Sequence, residues 1–225
     1  MIHLCRRVMS ALPMLLAAAL SRGEDSFVGK TPQQWKEQLS SAQPQSRVDA
    51  AWAIAQIAGR SPSDPQNATF EGILQQLVRD ADPSVRYWGA RGLAMYAKRV
   101  GPTNGGQAAA ISELESLLND KSLAPRIAAA ESLCTLGQAN KGLPVIVAAM
   151  DDPQDSVRIQ AVAALEKLGP LARPAISTLE KATSDSSEYV KRISERSLAS
   201  LGVESKQSEP KAKAKKSEAK AKSQP

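Results

Sequence analysis

Histidine, cysteine and aromatic side chains are scarce in this sequence. It contains one histidine, His3, and two cysteines, Cys5 and Cys134, and aromatic residues make up 4% of the chain. The usual zinc, haem and non-haem iron sites need several histidine or cysteine ligands, and Ser-His and Cys-His nucleophile systems need a histidine base. The composition therefore argues against the common metal centres and nucleophile systems. We expect no catalytic residue, no metal site and no cofactor.

A glycine-rich phosphate loop is also missing. Gly105 and Gly106 are the one Gly-Gly pair, but Gln107 and Ala108 follow in place of the Lys-Ser/Thr of such a loop. No strand-like stretch precedes the pair, although a phosphate loop needs one. We therefore expect no small-molecule substrate.

Residues 1–23 have the organisation of an export signal. Arg6 and Arg7 give a basic start, and Val8 to Leu20 is an uncharged, mostly apolar run of 13 residues. A membrane-spanning helix needs about 20 apolar residues, so this run is too short to cross a bilayer. We predict a cleaved signal peptide at residues 1–23 and an exported protein, periplasmic or extracellular in a bacterium. The alternative is an uncleaved interfacial anchor.

Positive charge is concentrated at the two ends of the chain. The net charge is +6, of which residues 1–23 contribute +3 and residues 203–225 contribute +4, which leaves −1 for residues 24–202. A nucleic-acid groove would need lysine and arginine clustered on the folded part, so the overall charge does not support one. Residues 203–225 are rich in Lys and Ala, and we predict a disordered tail. This tail acts either as a solubilising spacer or as a contact to an anionic surface.

The stretch from Val157 to Gly169 is repeated along the chain with variations. Counting from Arg158, small or apolar residues at offsets three, six, seven and ten share one helix face, and Gly169 at offset eleven predicts a helix end. The same frame fits four further anchor residues: Arg47, Arg86, Arg126 and Lys191. The five anchors are separated by 39, 40, 32 and 33 residues. A period in this range predicts an array of helical repeats.

A second amphipathic stretch precedes most anchors, and in the last repeat it carries Leu171, Ile176 and Leu179. An aspartate stands six residues before four of the anchors: Asp80, Asp120, Asp152 and Asp185. This order of apolar helix, Asp, often Pro, then Val-Arg and an Ala-Leu helix resembles the HEAT repeat, particularly the short HEAT-like repeats of the bilin-lyase type. The resemblance implies an all-α fold, a right-handed α-solenoid of about five HEAT-like helical hairpins followed by a disordered C-terminal tail.

The repeat domain is predicted at residues 24–202. Its five repeats are expected at about residues 31–59, 67–98, 106–137, 141–169 and 171–202. Thr31 and Pro32 predict the start of the first helix, with Thr31 as its cap. No polar capping repeat follows Leu198 and Leu201, so self-association at that end is a further possibility.

Cys134 would be the one cysteine left after removal of the signal, which excludes an intrachain disulfide. It lies eight residues after its anchor, where the other repeats carry mostly alanine. We therefore predict a packed thiol. The alternative is a reactive or intermolecular thiol, but no histidine or second cysteine would remain to activate or pair with it.

The recurring aspartates and arginines return once per repeat, whereas a catalytic site is a single, unequal constellation. In HEAT-like arrays the corresponding side chains form hydrogen bonds within and between repeats. The resemblance implies this structural ladder for six residues: Asp80, Arg86, Asp120, Arg126, Asp152 and Arg158.

The exposed face of the second helix in each pair lines the concave side of HEAT-like solenoids. Offsets two, five and nine from each anchor lie opposite the buried stripe. In the first two repeats these positions form a group that we call the tryptophan patch: Asp49, Trp52, Gln56, Trp88, Arg91 and Met95. Other repeats carry mainly polar or small residues there, and Trp and Arg are enriched at interface hot spots. The patch is predicted to bind protein; the alternative is that Trp52 and Trp88 pack on each other or cover the first repeat.

Three function classes follow from these features. The favoured class is an exported, non-catalytic scaffold that binds an unidentified protein or extended peptide through the concave face. The second is a bilin-lyase-like transferase or chaperone, against which export argues. The third is an envelope or nucleic-acid tether that acts through the Lys-rich tail, and its binding would weaken steeply with salt.

Overall fold

The computed structural model of the chain describes residues 27–60, 67–102 and 105–203, without the side chains of residues 67–69. The predicted signal peptide, and the predicted tail beyond Val203, lie outside these described residues. Within the described ranges the chain is helical, with one isolated β-bridge between Phe27 and Lys30. The expected all-α organisation is confirmed. The chain divides into two compact units, Met1–Ala148 (unit 1) and Ala149–Pro225 (unit 2).

The helices follow one another in pairs along the sequence. Unit 1 contains α1 Pro32–Gln38, α2 Pro44–Ala58, α3 Asn67–Leu77, α4 Pro83–Val100, α5 Gly106–Leu117, α6 Leu123–Thr135 and α7 Ala139–Ala149, which ends at the boundary. Unit 2 contains α8 Asp155–Leu168, a 3₁₀ helix Gly169–Ala175, α9 Ile176–Ala182 and α10 Glu188–Ser200.

Local signals in the sequence account for several helix ends. The Thr31 hydroxyl accepts a hydrogen bond from the Gln34 N–H, and the Gln34 side chain accepts one from the Thr31 N–H, so α1 begins with the predicted cap as a full capping box. Proline opens α1, α2 and α4, where its missing N–H is not needed. Gly169 ends α8 with φ +54°, a conformation that costs glycine little.

Helix α4 is central in unit 1. It packs against α2 and α6, the second helices of the neighbouring pairs, and against the first helices α3 and α5. Ile54, Leu74, Leu93, Leu114 and Leu133 from these five helices are fully buried in one continuous core. The apolar face of each helix is therefore covered by its neighbours. The second helices α2, α4 and α6 lie side by side.

Unit 2 differs from the predicted pattern at its middle element. The predicted helix through Leu171, Ile176 and Leu179 is interrupted, because residues up to Ala175 form a 3₁₀ helix that contains Pro170 and Pro174. Proline has no N–H to donate to a regular α-helix. Leu171 is consequently 44% exposed and does not belong to the apolar stripe, whereas Leu179 is fully buried.

The last helix, α10, supplies its own polar surface. Leu198 and Leu201 are buried within unit 2, and the exposed positions of α10 include Arg192, Glu195 and Arg196. Leu198 and Leu201 therefore offer little exposed apolar surface, whereas Tyr189 on the same helix is 61% exposed.

Candidate protein-binding surface

The arginine of the second repeat is bound at both ends of its guanidinium. Arg86 Nε donates to Asp120 Oδ2 (2.6 Å) and Nη2 donates to Asp120 Oδ1 (2.9 Å), while Nη1 donates to the carbonyls of Asp80 (2.8 Å) and Ala81 (2.9 Å). The hydrogen bonds from Arg86 lower the pKa of the Asp120 carboxyl below its ordinary value. This arrangement links the loop before α4 to the loop before α6.

The same arrangement recurs in unit 2. Arg158 donates to both carboxylate oxygens of Asp185 (2.8 and 3.0 Å) and to the carbonyl of Asp152 (2.8 Å). In unit 1, Arg126 Nη1 donates to the Asp120 carbonyl (2.6 Å). Asp185 was not among the six ladder residues, although its spacing of six before Lys191 is the signal that identifies it.

Side-chain oxygens of these aspartates also accept hydrogen bonds from backbone N–H groups of their own loops. The Oδ1 atom of Asp80 accepts from the Asp82 N–H (2.8 Å), and Asp152 Oδ1 accepts from the Gln154 N–H (2.9 Å). Such bonds satisfy backbone groups in the turn before each second helix. The arginine and aspartate side chains therefore hold the loops and the repeat spacing.

A cleft in unit 2 of about 430 Å³ is lined in part by these same groups. Arg158 and Asp185 are paired with each other, and Lys181 donates to Asp151 (2.7 Å). Four of the five charged side chains that line the cleft are thus paired with one another, which does not favour it as a ligand site.

The six residues of the tryptophan patch lie on α2 and α4, which pack side by side. Trp52 is 39% exposed and Asp49 is exposed, whereas Trp88, Arg91 and Met95 are half-buried. Tryptophan is enriched at interface hot spots, so the exposed Trp52 ring is a candidate contact. Ala128, at offset two from Arg126 on α6, is buried and so does not share the exposure that this offset predicts.

Each tryptophan of the patch contacts a different aromatic residue. The Trp52 ring meets Phe27 edge to face at 5.0 Å between centroids, and the Trp88 ring meets Tyr87 in the same way at 5.1 Å. Edge-to-face pairs of this kind are favourable by about 0.5–1.5 kcal/mol beyond their burial.

Three further members of the patch are held by neighbours. Arg91 Nη1 forms an ion pair with Glu131 Oε1 on α6 (3.1 Å). Asp49 accepts a hydrogen bond from Gln45 Nε2 (2.8 Å). The Met95 side chain lies against Gly59, where an added Cβ would stand 2.5 Å from the Met95 methyl group. The ion pair of Arg91 with Glu131 therefore links the patch to α6.

Residues 27–30 form a tight turn, which we call the strap, in front of α1. The Phe27 N–H donates to the Lys30 carbonyl (3.0 Å) and the Lys30 N–H donates to the Phe27 carbonyl (3.2 Å). Val28 (φ +52°) and Gly29 (φ +72°) are both left-handed, as in a type I′ turn. This conformation favours Asn-Gly and costs a β-branched residue about 1–2 kcal/mol. Val28 is nevertheless 73% exposed, so no burial of its side chain offsets the strain.

The strap lies against the tryptophan patch. Trp35 Nε1 donates to the Phe27 carbonyl (3.0 Å), and the Arg60 guanidinium lies 5.2 Å from the centre of the Phe27 ring. Lys30 Nζ lies 4.4 Å from the centre of the Trp35 ring. Sequence reasoning missed Phe27 and the strap, because they precede the first helix and carry no repeat spacing. The Val-Gly pair beside an aromatic residue is the one signal that the sequence offers.

The predicted packed thiol is confirmed. Cys134 is buried on α6, and burial raises the pKa of its thiol to about 11. No group of three or more His, Cys, Asp or Glu side chains within the described ranges is placed to hold a metal ion. None of the helices given above is both long and apolar enough to cross a membrane.

Comparison with known proteins agrees with this architecture. The family model of HEAT repeats matches residues 32–134, 70–166 and 111–199. No curated protein matches the sequence.

Solved structures with a similar fold include the complex of CpcE and CpcF of phycocyanin lyase from Nostoc sp. PCC7120, with a TM-score of 0.52 and 19% identity over 78% of this chain and 66% of that chain. A Kap121p mutant has a TM-score of 0.54 and 15% identity over 76% of this chain and 19% of that chain. An engineered protein has a TM-score of 0.50 and 21% identity over 76% and 78% of the two chains. At these identities the likeness concerns the fold alone.

Proposed function

The chain belongs to the HEAT-repeat family, and on that premise we propose that it is an exported, non-catalytic scaffold that binds another protein or an extended peptide through the exposed side of α2 and α4. The observation that carries the proposal is the exposure of Trp52 beside the half-buried Trp88 and Arg91 on the neighbouring helix. In the solenoid family this side of the second helices is the concave face.

The chemistry of the patch supports recognition of a protein. Tryptophan and arginine side chains at the centre of an interface typically cost about 2 kcal/mol or more of binding free energy when truncated. Here the ion pair with Glu131 holds Arg91, and the edge contact with Tyr87 holds the Trp88 ring. Side chains that are already positioned lose less conformational entropy on binding than free ones.

Affinity capture from the native envelope fraction tests this proposal. The mature protein is compared with Trp52→Ala, after circular dichroism has shown equal helix content. Tyr189→Ala is the matched control, because Tyr189 is a more exposed aromatic residue in unit 2. We expect a specific partner to be retained by the parent and by Tyr189→Ala, and to be lost from Trp52→Ala. Equal capture by all three proteins contradicts the proposed surface, and truncation after Gly202 then tests the Lys-rich tail.

Export requires a separate test. The predicted signal at residues 1–23 supports a periplasmic or extracellular location in a bacterium. We expect the intact mass of the protein from the native envelope fraction to correspond to a chain that lacks about the first 23 residues. A full-length mass together with a cytoplasmic location refutes export but leaves the binding surface intact.

A further inference from the structure

The strap occupies the side of the tryptophan patch where Trp52 and Trp35 approach each other through Phe27. Phe27 meets the ring of Trp52, and its carbonyl oxygen accepts the indole N–H of Trp35. Without the strap, the Trp52 face would be more exposed and the Trp35 indole would lose this acceptor. The side chains around Phe27 therefore resemble a binding site for an aromatic residue, and Phe27 already occupies it.

The contacts of Phe27 define what this receptor accepts. The Phe27 and Trp52 rings meet edge to face, the Arg60 guanidinium lies 5.2 Å from the centre of the Phe27 ring, and the Trp35 indole N–H donates to the Phe27 carbonyl at 3.0 Å. Aromatic pairs prefer the edge-to-face geometry, and arginine favours the face of an aromatic ring. The matching ligand is a peptide segment that presents one aromatic side chain and the backbone carbonyl of the same residue.

We propose that Trp52, Trp35 and Arg60 form a receptor for an aromatic side chain of a protein partner, and that the strap is the intramolecular occupant of this receptor in the free protein. The inference rests on the proposed function and specifies its partner: a segment with an exposed aromatic residue whose backbone carbonyl is free to accept a hydrogen bond. The partner displaces Phe27 and takes over its three contacts.

Two features of the strap favour exchange over permanent docking. Val28 holds a left-handed conformation that suits asparagine or glycine better, and its side chain is 73% exposed. The strap is docked by ring contacts, by the indole hydrogen bond and by a bond from Lys30 Nζ to Gln38 (2.7 Å). No ion pair among the described residues involves residues 27–30. The Val-Gly sequence thus makes the turn of the strap less stable than an Asn-Gly sequence would.

Strap variants of the full chain test the exchange. Phe27→Ala removes the aromatic ring from the receptor but keeps the backbone carbonyl that accepts the Trp35 indole, whereas Val28→Asn relieves the turn and strengthens the strap. The probe is a synthetic acetyl-Phe-Val-Gly-Lys-amide peptide, with a second peptide in which alanine replaces phenylalanine. Because a short tether gives the strap an effective concentration in the millimolar range (~mM), we expect the peptide to bind Phe27→Ala about tenfold or more tightly than the parent. Val28→Asn is expected to bind it more weakly than the parent.

The readout is the set of tryptophan indole cross-peaks in a proton–nitrogen NMR spectrum. Phe27→Ala is expected to shift the Trp52 indole peak, because the ring that meets Trp52 is lost, and the phenylalanine peptide is expected to return it toward its position in the parent. The alanine peptide leaves the Trp52 peak unchanged. In a Phe27→Ala/Trp52→Ala chain, the phenylalanine peptide leaves the Trp35 peak unchanged. If Phe27→Ala loses its helix content, Val28→Pro replaces it, since proline cannot adopt a positive φ and opens the turn with Phe27 retained.

The outcomes separate this inference from the proposed function. If the folded, strap-open variants do not bind the phenylalanine peptide, or bind both peptides equally, the receptor is refuted even where Trp52→Ala loses a captured partner. If strengthening the strap by Val28→Asn increases binding of the peptide, exchange is also refuted. If the peptide binds as expected but Trp52→Ala keeps every captured partner, the receptor stands and the proposed function fails.

Discussion

Arg86 and Asp120 form a two-pronged ion pair across 34 residues of sequence. The bonds measure 2.6 and 2.9 Å, and the two side chains are 8% and 7% exposed. The same guanidinium also donates to two carbonyls of the loop before its own helix. One side chain therefore fixes the loop of its own repeat and the spacing to the next repeat.

Removal of this arginine is expected to destabilise the fold severely. Arg86→Met leaves the Asp120 carboxylate buried without its cation and leaves two loop carbonyls without a donor. Breaking a buried ion pair from one side costs about 3–5 kcal/mol of the free energy of unfolding. Urea denaturation followed by circular dichroism measures the change.

The control for that experiment is Lys181→Met. It breaks the ion pair with Asp151. The Lys181 side chain is 75% exposed and the Asp151 side chain is 64% exposed. Exposed pairs contribute at most about 1 kcal/mol. Equal losses in the two variants contradict a special role for the Arg86–Asp120 pair.

Acid is expected to weaken the protein through the same carboxylates. Hydrogen bonds from Arg86 and Arg158 lower the pKa of Asp120 and of Asp185. An aspartate in the unfolded chain has a pKa near 3.9, so the unfolded state takes up protons first as the pH falls. The stabilisation is complete above about pH 5 and declines as the pH falls through the unfolded pKa toward the lowered pKa values of the folded state.

Asp185→Asn reports one share of this acid sensitivity. We expect the variant to be less stable than the parent at pH 7, with a smaller slope of unfolding free energy against pH between about 4 and 2. Urea titrations at several pH values give both quantities. An unchanged slope shows that another ionisable group controls the loss of stability at low pH.

Thiol chemistry at Cys134 follows from its burial. Its pKa of about 11 keeps the thiol neutral in the folded protein near pH 8.5, and the thiolate is the reactive form. In a Cys5→Ser background, we expect Ellman's reagent to label Cys134 slowly in the folded state and rapidly in guanidinium chloride. Because the unfolded thiol ionises at lower pH, stability is expected to decline as the pH rises from about 9 toward 11. Rapid labelling of the folded protein argues for an accessible thiol.

The positions that sequence reasoning located are those where the signal is local or periodic. Thr31 marks a helix start through its side-chain hydroxyl and Gly169 marks a helix end through its backbone conformation, and Cys134 is buried because its position falls on a repeated apolar face. Leu171 was assigned wrongly, because periodicity alone does not show that Pro170 and Pro174 break the helix around it.

The tertiary partners could not be predicted in the same way. The sequence frame recovered Asp185 as a recurring residue but not as the acceptor of Arg158, since pairing depends on how two repeats stack. Phe27 belongs to no repeat, so its contact with Trp52 is visible only in the folded chain. The frame placed Trp52 on an exposed face, whereas the strap in front of it has no periodic signal.

Two glycines in first helices are expected to respond oppositely to alanine. A Cβ at Gly142 would stand 2.2 Å from the Ala130 carbonyl oxygen and 2.9 Å from Cys134 Sγ, so α7 can approach α6 only without a side chain there. Gly142→Ala is expected to cost about 3 kcal/mol of stability. Gly72→Ala on α3 meets no atom within 4 Å and is expected to stabilise by about 0.5–1 kcal/mol. Thermal unfolding of both variants checks the contrast, and equal effects contradict the close approach.

Ser194 is expected to be a site where substitution stabilises the protein. Its hydroxyl is fully buried on α10 and is the one buried side-chain oxygen or nitrogen in the described residues without a hydrogen-bond partner. A buried polar group without a partner costs about 1–3 kcal/mol. Alanine occupies the equivalent position in other repeats, as at Ala129 and Ala161, which are also buried. Ser194→Ala should therefore raise the free energy of unfolding by about 1–2 kcal/mol, including the better helix propensity of alanine.

Ser197→Ala is the matched control, because it gains the same propensity but loses the hydrogen bond that Ser197 donates to the Ile193 carbonyl (2.8 Å). Urea denaturation that shows an equal gain in both variants attributes the effect to propensity alone, and a loss in Ser194→Ala shows that the hydroxyl has a partner in solution.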